Sequence, residues 1–321
     1  MTAGFIINPK AHGGNSPSGK LSDALAGKPG LRSELLENFD DLPEILRDYA
    51  ESGISTIFIS SGDGTVQAIQ SLLGENNWYE TLPRLALLPH GSTNMNALTL
   101  GFRTSDISRV LEIAASESYL ARATNIKQRH TVRVVNPADK PPQHGMFVGA
   151  GTICEATRYC QKVLHERGVR GSWATFSTFA SIVGRYLIGK RDENDDERIV
   201  RPYDMRVLAD GELMVDGPQL SFLASTLESL ILGIKPYWGG AGSQMRATTI
   251  DYPPPNLATN ILKVMYGFPN RNLPAGCRSR AVKTIEINTN SAFVIDGEFF
   301  QPPRNEPLKL ELGPLFSYLC N

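Results

Sequence analysis

Three short segments in the N-terminal third place glycine, hydroxyl, amide and carboxylate groups at the ends of apolar runs. Ser60-Ser61-Gly62-Asp63-Gly64-Thr65 follows the run Ile54 to Ile59, and Pro89-His90-Gly91-Ser92-Thr93-Asn94 follows Leu85 to Leu88. The run Phe5 to Asn8 leads into Asn8-Pro9-Lys10, with His12-Gly13-Gly14-Asn15 just beyond. A strand, a tight glycine-containing turn and a helix start bring several backbone N–H groups to one point, where the helix dipole favours negative charge. Such a point suits phosphate oxygens. Glycine lets the backbone approach the ligand, and Thr65 either caps the helix or bonds an oxygen. Asp63 is the odd member, because a carboxylate repels phosphates unless a cation such as Mg²⁺ bridges them. Taken singly, each loop also reads as an ordinary βα turn whose Asp and Gly suit the backbone. The Gly-x-x-x-x-Gly-Lys-(Ser/Thr) pattern of P-loop nucleotide sites is absent.

The elements that hold these loops are predicted by the apolar pattern. Asp41-Leu42-Pro43-Glu44 reads as a helix start, with Asp41 as cap, Pro43 in the first turn and Glu44 closing a capping box. Leu42, Ile45, Leu46 and Tyr49 follow at helical spacing, as do Val66, Ile69, Leu72 and Leu73, and then Ile107, Val110, Leu111 and Ala114. Short apolar runs alternating with helices predict βα units around a parallel sheet, whose carboxyl edge gathers ligand-binding loops. After Asn125 the pattern changes. Thr131 to Val135, Met146 to Gly149, Met205 to Leu208, Phe222 to Ala224, Thr284 to Ile287 and Phe293 to Ile295 are short runs separated by Gly, Pro and Asp. That is the pattern of an antiparallel sandwich or barrel. One helix interrupts it, with Trp173, Phe176, Phe179, Ala180, Val183, Tyr186 and Leu187 on one face, and Lys190 to Arg198 reads as a solvated loop. The predicted organisation is an α/β N-terminal domain with a parallel sheet (residues 1–125, with 304–321 returning) and an antiparallel β-sandwich C-terminal domain (126–303).

Composition agrees with two domains. The chain has 321 residues, 41% hydrophobic and 20% charged, with 32 Lys plus Arg against 33 Asp plus Glu. The net charge of −1 argues against a nucleic-acid partner held by overall charge. Four cysteines form no CxxC pair and no metal-ligand spacing with the five histidines, so a reduced, cytoplasmic protein without structural zinc is expected. Met1 to Pro9 lacks the basic start and long apolar stretch of a signal peptide. The longest candidate span, Trp173 to Gly189, is broken by Arg185 and falls short of the roughly 20 apolar residues a bilayer needs.

In order and spacing, Asn8-Pro9, Ser61-Gly62-Asp63-Gly64-Thr65 and Pro89-His90-Gly91-Ser92-Thr93-Asn94 resemble the motifs of the diacylglycerol kinase catalytic-domain family, which includes sphingosine and ceramide kinases. The resemblance continues through Phe147-Val148-Gly149-Ala150-Gly151, Trp238-Gly239-Gly240-Ala241-Gly242 and Ile295-Asp296-Gly297-Glu298, covering nearly the whole chain. It implies the fold shared by NAD kinases and diacylglycerol kinases, and an ATP-dependent, Mg²⁺-assisted transfer of phosphate to the primary hydroxyl of a membrane lipid. The nucleotide contacts would be Asn8, Pro9, Lys10, Asn38, Ser61, Gly62, Asp63, Gly64, Thr65, Gly91, Ser92, Thr93 and Asn94, with Asp63 near the metal. By the same resemblance Glu298 is the candidate base for the lipid hydroxyl, and Asp63 is its rival, as sphingosine kinases assign that task to the corresponding Asp. Asp-Gly between apolar runs is also a hairpin turn, and Asp210-Gly211-Glu212 is read as one.

Three departures from the family pattern stand out. Met95 takes the place of an Asp common in diacylglycerol kinases, and Gly91-Ser92-Thr93 is closer to ceramide kinases. His12 replaces an expected Gly. Arg246 to Leu262, with Pro253-Pro254-Pro255, replaces the segment that binds a structural metal in bacterial members, leaving only Asp251 of its acidic residues. An NAD kinase is the nearest alternative, but its Gly-Ser-Thr motif lies much further from the Gly-Asp-Gly-Thr loop than Ser92 does here, 27 residues after Thr65. A catalytically inactive lipid- or nucleotide-binding module is the other.

A lipid substrate implies peripheral contact with the inner face of a membrane. Extracting a two-chain lipid of about 30 methylenes would cost roughly 25 kcal/mol at about 0.8 kcal/mol each, so only the head-group region would be lifted. Lys263, Arg271, Arg278, Arg280 and Lys283, in a stretch without acidic residues, could add attraction at an anionic surface, or be scattered over a sheet.

Overall fold

Apolar runs without polar alternation suit strands buried on both faces, and in the N-terminal third they form parallel strands. The computed structural model describes residues 2–9, 11, 17–28, 30–91, 94–167, 199–230, 233–238, 245–266 and 272–321. The expected Trp173–Leu187 helix face, the Lys190–Arg198 run, His12–Asn15 and Gly239–Gly242 lie outside the described residues. The chain divides into two compact units, Met1–Arg129 with Pro314–Asn321, and His130–Gly313.

In the first unit β1 (Thr2–Ile7), β2 (Arg32–Leu35), β3 (Ile54–Ser61) and β4 (Arg84–Pro89) pair in parallel in the order β2-β1-β3-β4. The end of the C-terminal strand β15 (Leu308–Leu319) adds beside β4, with Tyr318 opposite Leu85. Helices α1 (Pro17–Leu25), α2 (Leu42–Glu51), α3 (Asp63–Glu75), α4 (Met95–Leu100), α5 (Ile107–Ala115) and α6 (Glu117–Ala121) complete the unit. Phe5 and Phe58 stack with ring centroids 4.7 Å apart at the centre of the core. The returning chain is fastened by polar contacts as well as burial. Gln70 Nε2 of α3 donates to Tyr318 Oη at 2.9 Å, and Tyr119 Oη donates to the Cys320 carbonyl at 3.2 Å.

Two local expectations need correction. Asp41 caps nothing with its side chain, because a 3₁₀ turn, Phe39–Asp41, precedes α2 and leaves Asp41 in a helical conformation. Asn38 takes the capping role instead, its Oδ1 accepting from Asp40 N at 3.2 Å. The strand β2 was absent from the sequence reading because Arg-Ser-Glu-Leu is a polar edge strand with alternating exposure and no apolar run.

The second unit holds antiparallel strands: β5 (Ile126–Val134, which begins in the first unit), β6 (Gln143–Gly145), β7 (Phe147–Gly151), β8 (Tyr203–Ala209), β9 (Glu212–Ser225), β10 (Met245–Asp251), β11 (Cys277–Val282), β12 (Thr284–Asn288), β13 (Phe293–Ile295) and β14 (Glu298–Phe300). Two ladders share β9. Its first half pairs with β8, which leads through β12 to β15. Its second half lies between β7 and β10. Gly217 (φ 128°) and Pro218 lie near the end of the β8 ladder, just before Gln219, where pairing passes to β10. A single buried cluster draws from both, including Val207, Ile285 and Leu310 from one and Val148, Phe222 and Ala247 from the other. Helices α7 (Thr152–Arg167) and α8 (Leu257–Tyr266) escaped the sequence reading. Among its described side chains α7 buries the small residues Cys154, Ala156 and Cys160, a weak apolar stripe.

All four cysteines are free, and burial pushes the thiols of Cys154, Cys160 and Cys277 up to about 11, which keeps them protonated and inert. Among the described residues no helix is long and apolar enough to cross a membrane.

Two outcomes are expected. Tyr318→Ala should destabilise the first unit by about 3–5 kcal/mol, the usual cost of truncating a buried aromatic, measured by denaturant unfolding. Asp210, in the β8–β9 turn, is partly desolvated, which raises its pKa. The Thr284 and Lys283 amides outweigh this and hold it below the usual carboxylate range. A depressed folded pKa adds stability above the unfolded value, lost as pH falls through that value towards the folded one. Asp210→Asn, which keeps the left-handed turn but not the charge, should flatten this acid-side loss in a series of thermal melts.

Candidate active site

At the tips of β1, β3 and β4 the first unit fastens three loops to one another. Asn8, at the end of β1, donates from Nδ2 to Thr65 Oγ1 at 3.2 Å, and Ser61 Oγ donates to the same oxygen at 2.6 Å. Thr65 is 3% exposed and ties β1 to the turn after β3. It does not cap α3; the cap position is Gly62, without a side-chain bond. The backbones of the second and third loops touch. A Cβ on Gly91 would lie 2.3 Å from Gly62 Cα and 2.9 Å from Gly62 N, so position 91 admits no side chain. Asn94 closes its own loop from a left-handed conformation (φ 54°). Its Oδ1 accepts from Gly91 N and its Nδ2 donates to the Gly91 carbonyl, each at 2.7 Å.

Asp63 joins two helix starts. It is the first residue of α3, and its two carboxylate oxygens accept from Met95 N and Asn96 N, the first two amides of α4, both at 3.0 Å. These amides have no partner within α4 itself, and two converging helix N-termini favour a negative charge. Burial pushes the Asp63 carboxyl above the usual range, with the two amide donors pulling the other way. A further chain runs through the same tips: Ser60 Oγ donates to Ser18 Oγ at 2.9 Å and lies 2.8 Å from His90 Nδ1.

The structure thus brings Asn8, Ser61, Gly62, Asp63, Gly64, Thr65, Gly91 and Asn94 together. Pro9 follows Asn8 directly, while Lys10, Ser92 and Thr93 lie outside the described residues. Asn38 is exposed and caps its own 3₁₀ turn. The sequence reading assigned no task to Ser18, Ser60 or His90. Two of them stood inside the quoted loops, and only their burial and mutual distances mark them. Asp63, expected near Mg²⁺, takes one backbone amide on each carboxylate oxygen, which leaves each oxygen a further lone pair. Among the described residues no group of three or more His, Cys, Asp or Glu could hold a metal. Asp251 accepts from the Arg278 guanidinium, which leaves the replaced metal segment without an uncommitted carboxylate at that position.

Glu298 belongs to the second unit. Asp296-Gly297 is a hairpin turn between β13 and β14 with both residues left-handed (φ 46° and 100°), the same conformation as Asp210-Gly211 (φ 50° and 80°). Asp296, like Asp63, accepts from two successive amides, Met146 N and Phe147 N, each at 2.9 Å. The two Asp-Gly-Glu copies differ in their last member. Glu212 pairs with Arg280 at 2.8 Å, whereas the Glu298 side chain is exposed and makes no hydrogen bond or ion pair among the described residues. Of the five expected basic residues Arg278 and Arg280 are neutralised in ion pairs, and Arg271 lies outside the described residues.

Compared with known families, residues 2–125 match the diacylglycerol kinase catalytic domain. No curated protein matches the chain. Among solved structures it is similar to a diacylglycerol kinase from Bacillus anthracis str. Sterne (TM-score 0.61, 18% identity, covering 100% of this chain and 97% of that one). It is also similar to a candidate diacylglycerol kinase of the same organism (TM-score 0.67, 18% identity, 100% and 97% covered). Yeast NADH kinase, complexed with NADH, shares the fold more distantly (TM-score 0.50, 11% identity, 100% and 84% covered). The expected fold, common to diacylglycerol kinases and NAD kinases, is the fold found. A kinase family implies ATP as phosphate donor.

The unequal surroundings of the two glycines give a direct check. Gly91→Ala should cost about 1–3 kcal/mol, because backbone on both sides must shift. Gly62→Ala should leave unfolding nearly unchanged, since a Cβ there meets Gly91 Cα at an ordinary 3.6 Å and φ is −90°. Paired denaturation curves compare the two.

Proposed function

We propose that this protein transfers the γ-phosphate of ATP to the primary hydroxyl of a membrane lipid: a diacylglycerol, a ceramide or a sphingoid base. The observation that carries the reading is the backbone contact of Gly62 with Gly91, which holds the starts of α3 and α4 together at the tips of the parallel sheet. The first two amides of α4 are taken by Asp63, so the amides at the start of α3 would bind and orient the phosphate oxygens. Thr65 Oγ1 accepts two hydrogen bonds and keeps its own proton to donate to a phosphate oxygen. Positioning and charge stabilisation supply most of the catalysis in phosphoryl transfer, so a rigid cradle matters more than a reactive side chain. In this proposal Mg²⁺ accompanies the phosphates of ATP, with Asp63 as the candidate carboxylate beside it.

A lipid alcohol is a poor nucleophile at neutral pH and gains from a carboxylate that takes its proton. Of the two candidates, Asp63 has both oxygens committed to amides and Glu298 has neither, which favours Glu298 as base and Asp63 as the residue that orders the cradle. The acceptor would be met at the inner face of the membrane by an enzyme resting on it. Nicotinamide dinucleotides are the competing acceptor, favoured by the fold shared with the yeast enzyme and opposed by the short spacing from Thr65 to Ser92.

Labelled ATP offered with vesicles of each lipid, and separately with NAD, tests the proposal. Transfer to one lipid class is expected. Transfer to NAD alone, or ATP binding without transfer to any acceptor, overturns it. Glu298→Gln should lose about 10²–10⁴-fold in turnover, the usual worth of a general base, with unchanged affinity for a non-hydrolysable ATP analogue. Asp63→Asn should weaken that affinity and lower the unfolding midpoint. Normal affinity and midpoint with turnover lost would make Asp63 the base instead.

A further inference from the structure

Helix α1 begins just after the first loop, β3 ends in the second, and the third starts where β4 stops. One buried hydrogen-bonded chain connects all three. Ser18 lies in the first turn of α1 and is fully buried; Ser60 is the penultimate residue of β3 and is fully buried; His90 follows β4 and is 1% exposed. Because the single Ser60 hydroxyl proton goes to Ser18 Oγ, the 2.8 Å contact with His90 requires Nδ1 to carry a proton and donate to Ser60 Oγ. The direction of the chain is therefore fixed as His90 to Ser60 to Ser18. His90 is bonded through its backbone as well, its amide donating to the Leu88 carbonyl at 2.8 Å, and it immediately precedes Gly91, whose backbone rests on Gly62. The ring thus sets the path of the chain into the closest backbone approach in the cradle. The other ties described above join the loops only in pairs: Asn8 and Ser61 to Thr65 join the first and second, and Asp63 to Met95 and Asn96 the second and third.

We infer that His90 and Ser60 are positioning residues for the triphosphate: with Ser18 they fix the spacing of the three loops and so set affinity for the phosphates of ATP, without touching the acceptor. The inference rests on the kinase reading and adds to it two residues with a defined task. A hydrogen-bonded imidazole fits that task better than a hydrocarbon of similar size, since an apolar side chain there would leave the buried Ser60 hydroxyl without its donor.

The test uses the full chain and a β,γ-imido analogue of ATP. His90→Leu and Ser60→Ala should each weaken analogue binding about tenfold, the scale expected for one lost buried hydrogen bond, while His90→Asn, which can present an N–H where Nδ1 stood, should stay within about threefold of wild type. The double variant His90→Leu with Ser60→Ala should be no weaker than the worse single one, since both break the same chain. On the lipid accepted by wild type, the KM for ATP should rise with turnover at saturating ATP retained. If His90→Leu does not fold, Ser60→Ala and His90→Asn carry the comparison. Wild-type affinity in folded Ser60→Ala, failure of His90→Asn to restore binding, or full additivity in the double variant would overturn the inference and leave the kinase reading standing. Absence of analogue binding by wild type would overturn both.

Discussion

Two glycine backbones lie in contact, Gly62 at the end of one strand-helix turn and Gly91 at the end of the next, and the site depends on that contact. A Cβ on Gly91 would sit 2.3 Å from Gly62 Cα, so the approach is available only because no side chain stands between them. Once the two turns are this close, the first turn of α4 falls within reach of Asp63 and the ring of His90 within reach of Ser60. Neighbouring parallel strands lie roughly 4.8 Å apart, so loops at their tips are already close. What the glycines add is closure at the backbone, with no side chain between positions 62 and 91.

The aspartates show how one chemical device can resemble another. Asp63, Asp210 and Asp296 each accept from two successive backbone amides of a segment distant in the chain: Met95 and Asn96, Lys283 and Thr284, Met146 and Phe147. A carboxylate is well suited to this: in Asp63 and Asp296 each oxygen takes one amide, in Asp210 Oδ1 takes both, and charge-assisted bonds are stronger than neutral ones. Each stands beside a glycine, and two of the three occupy left-handed turns. Asp-Gly in this protein is therefore first an architectural pair. What separates the Asp-Gly-Glu of the β13–β14 hairpin from its counterpart is the next residue, because Glu212 is held by Arg280 and Glu298 is not.

Much of this fold was legible in the sequence, and the places where it was not have physical causes. The strands β1, β3 and β4 announced themselves because strands buried on both faces must be apolar throughout. Asp210-Gly211 read as a hairpin because its left-handed turn demands those residue types. β2 was hidden because an edge strand needs no apolar run, and α7 because the side chains it is described as burying, Cys154, Ala156 and Cys160, are small. The capping role of Asn38 was not legible, since a single Asn carries no sign of which backbone amide it will meet.

At the site, residue type and spacing determined that three glycine- and hydroxyl-bearing loops would end neighbouring strands, and the motif order pointed to a family of kinases. Spacing along a chain, however, does not say which donor faces which acceptor. That Asp63 would satisfy α4, that Thr65 would bind Asn8, and that Ser18, Ser60 and His90 would form a single chain were decided only when the strands packed. Hydrogen bonds are short and directional, and the partners here lie 30 to 57 residues apart.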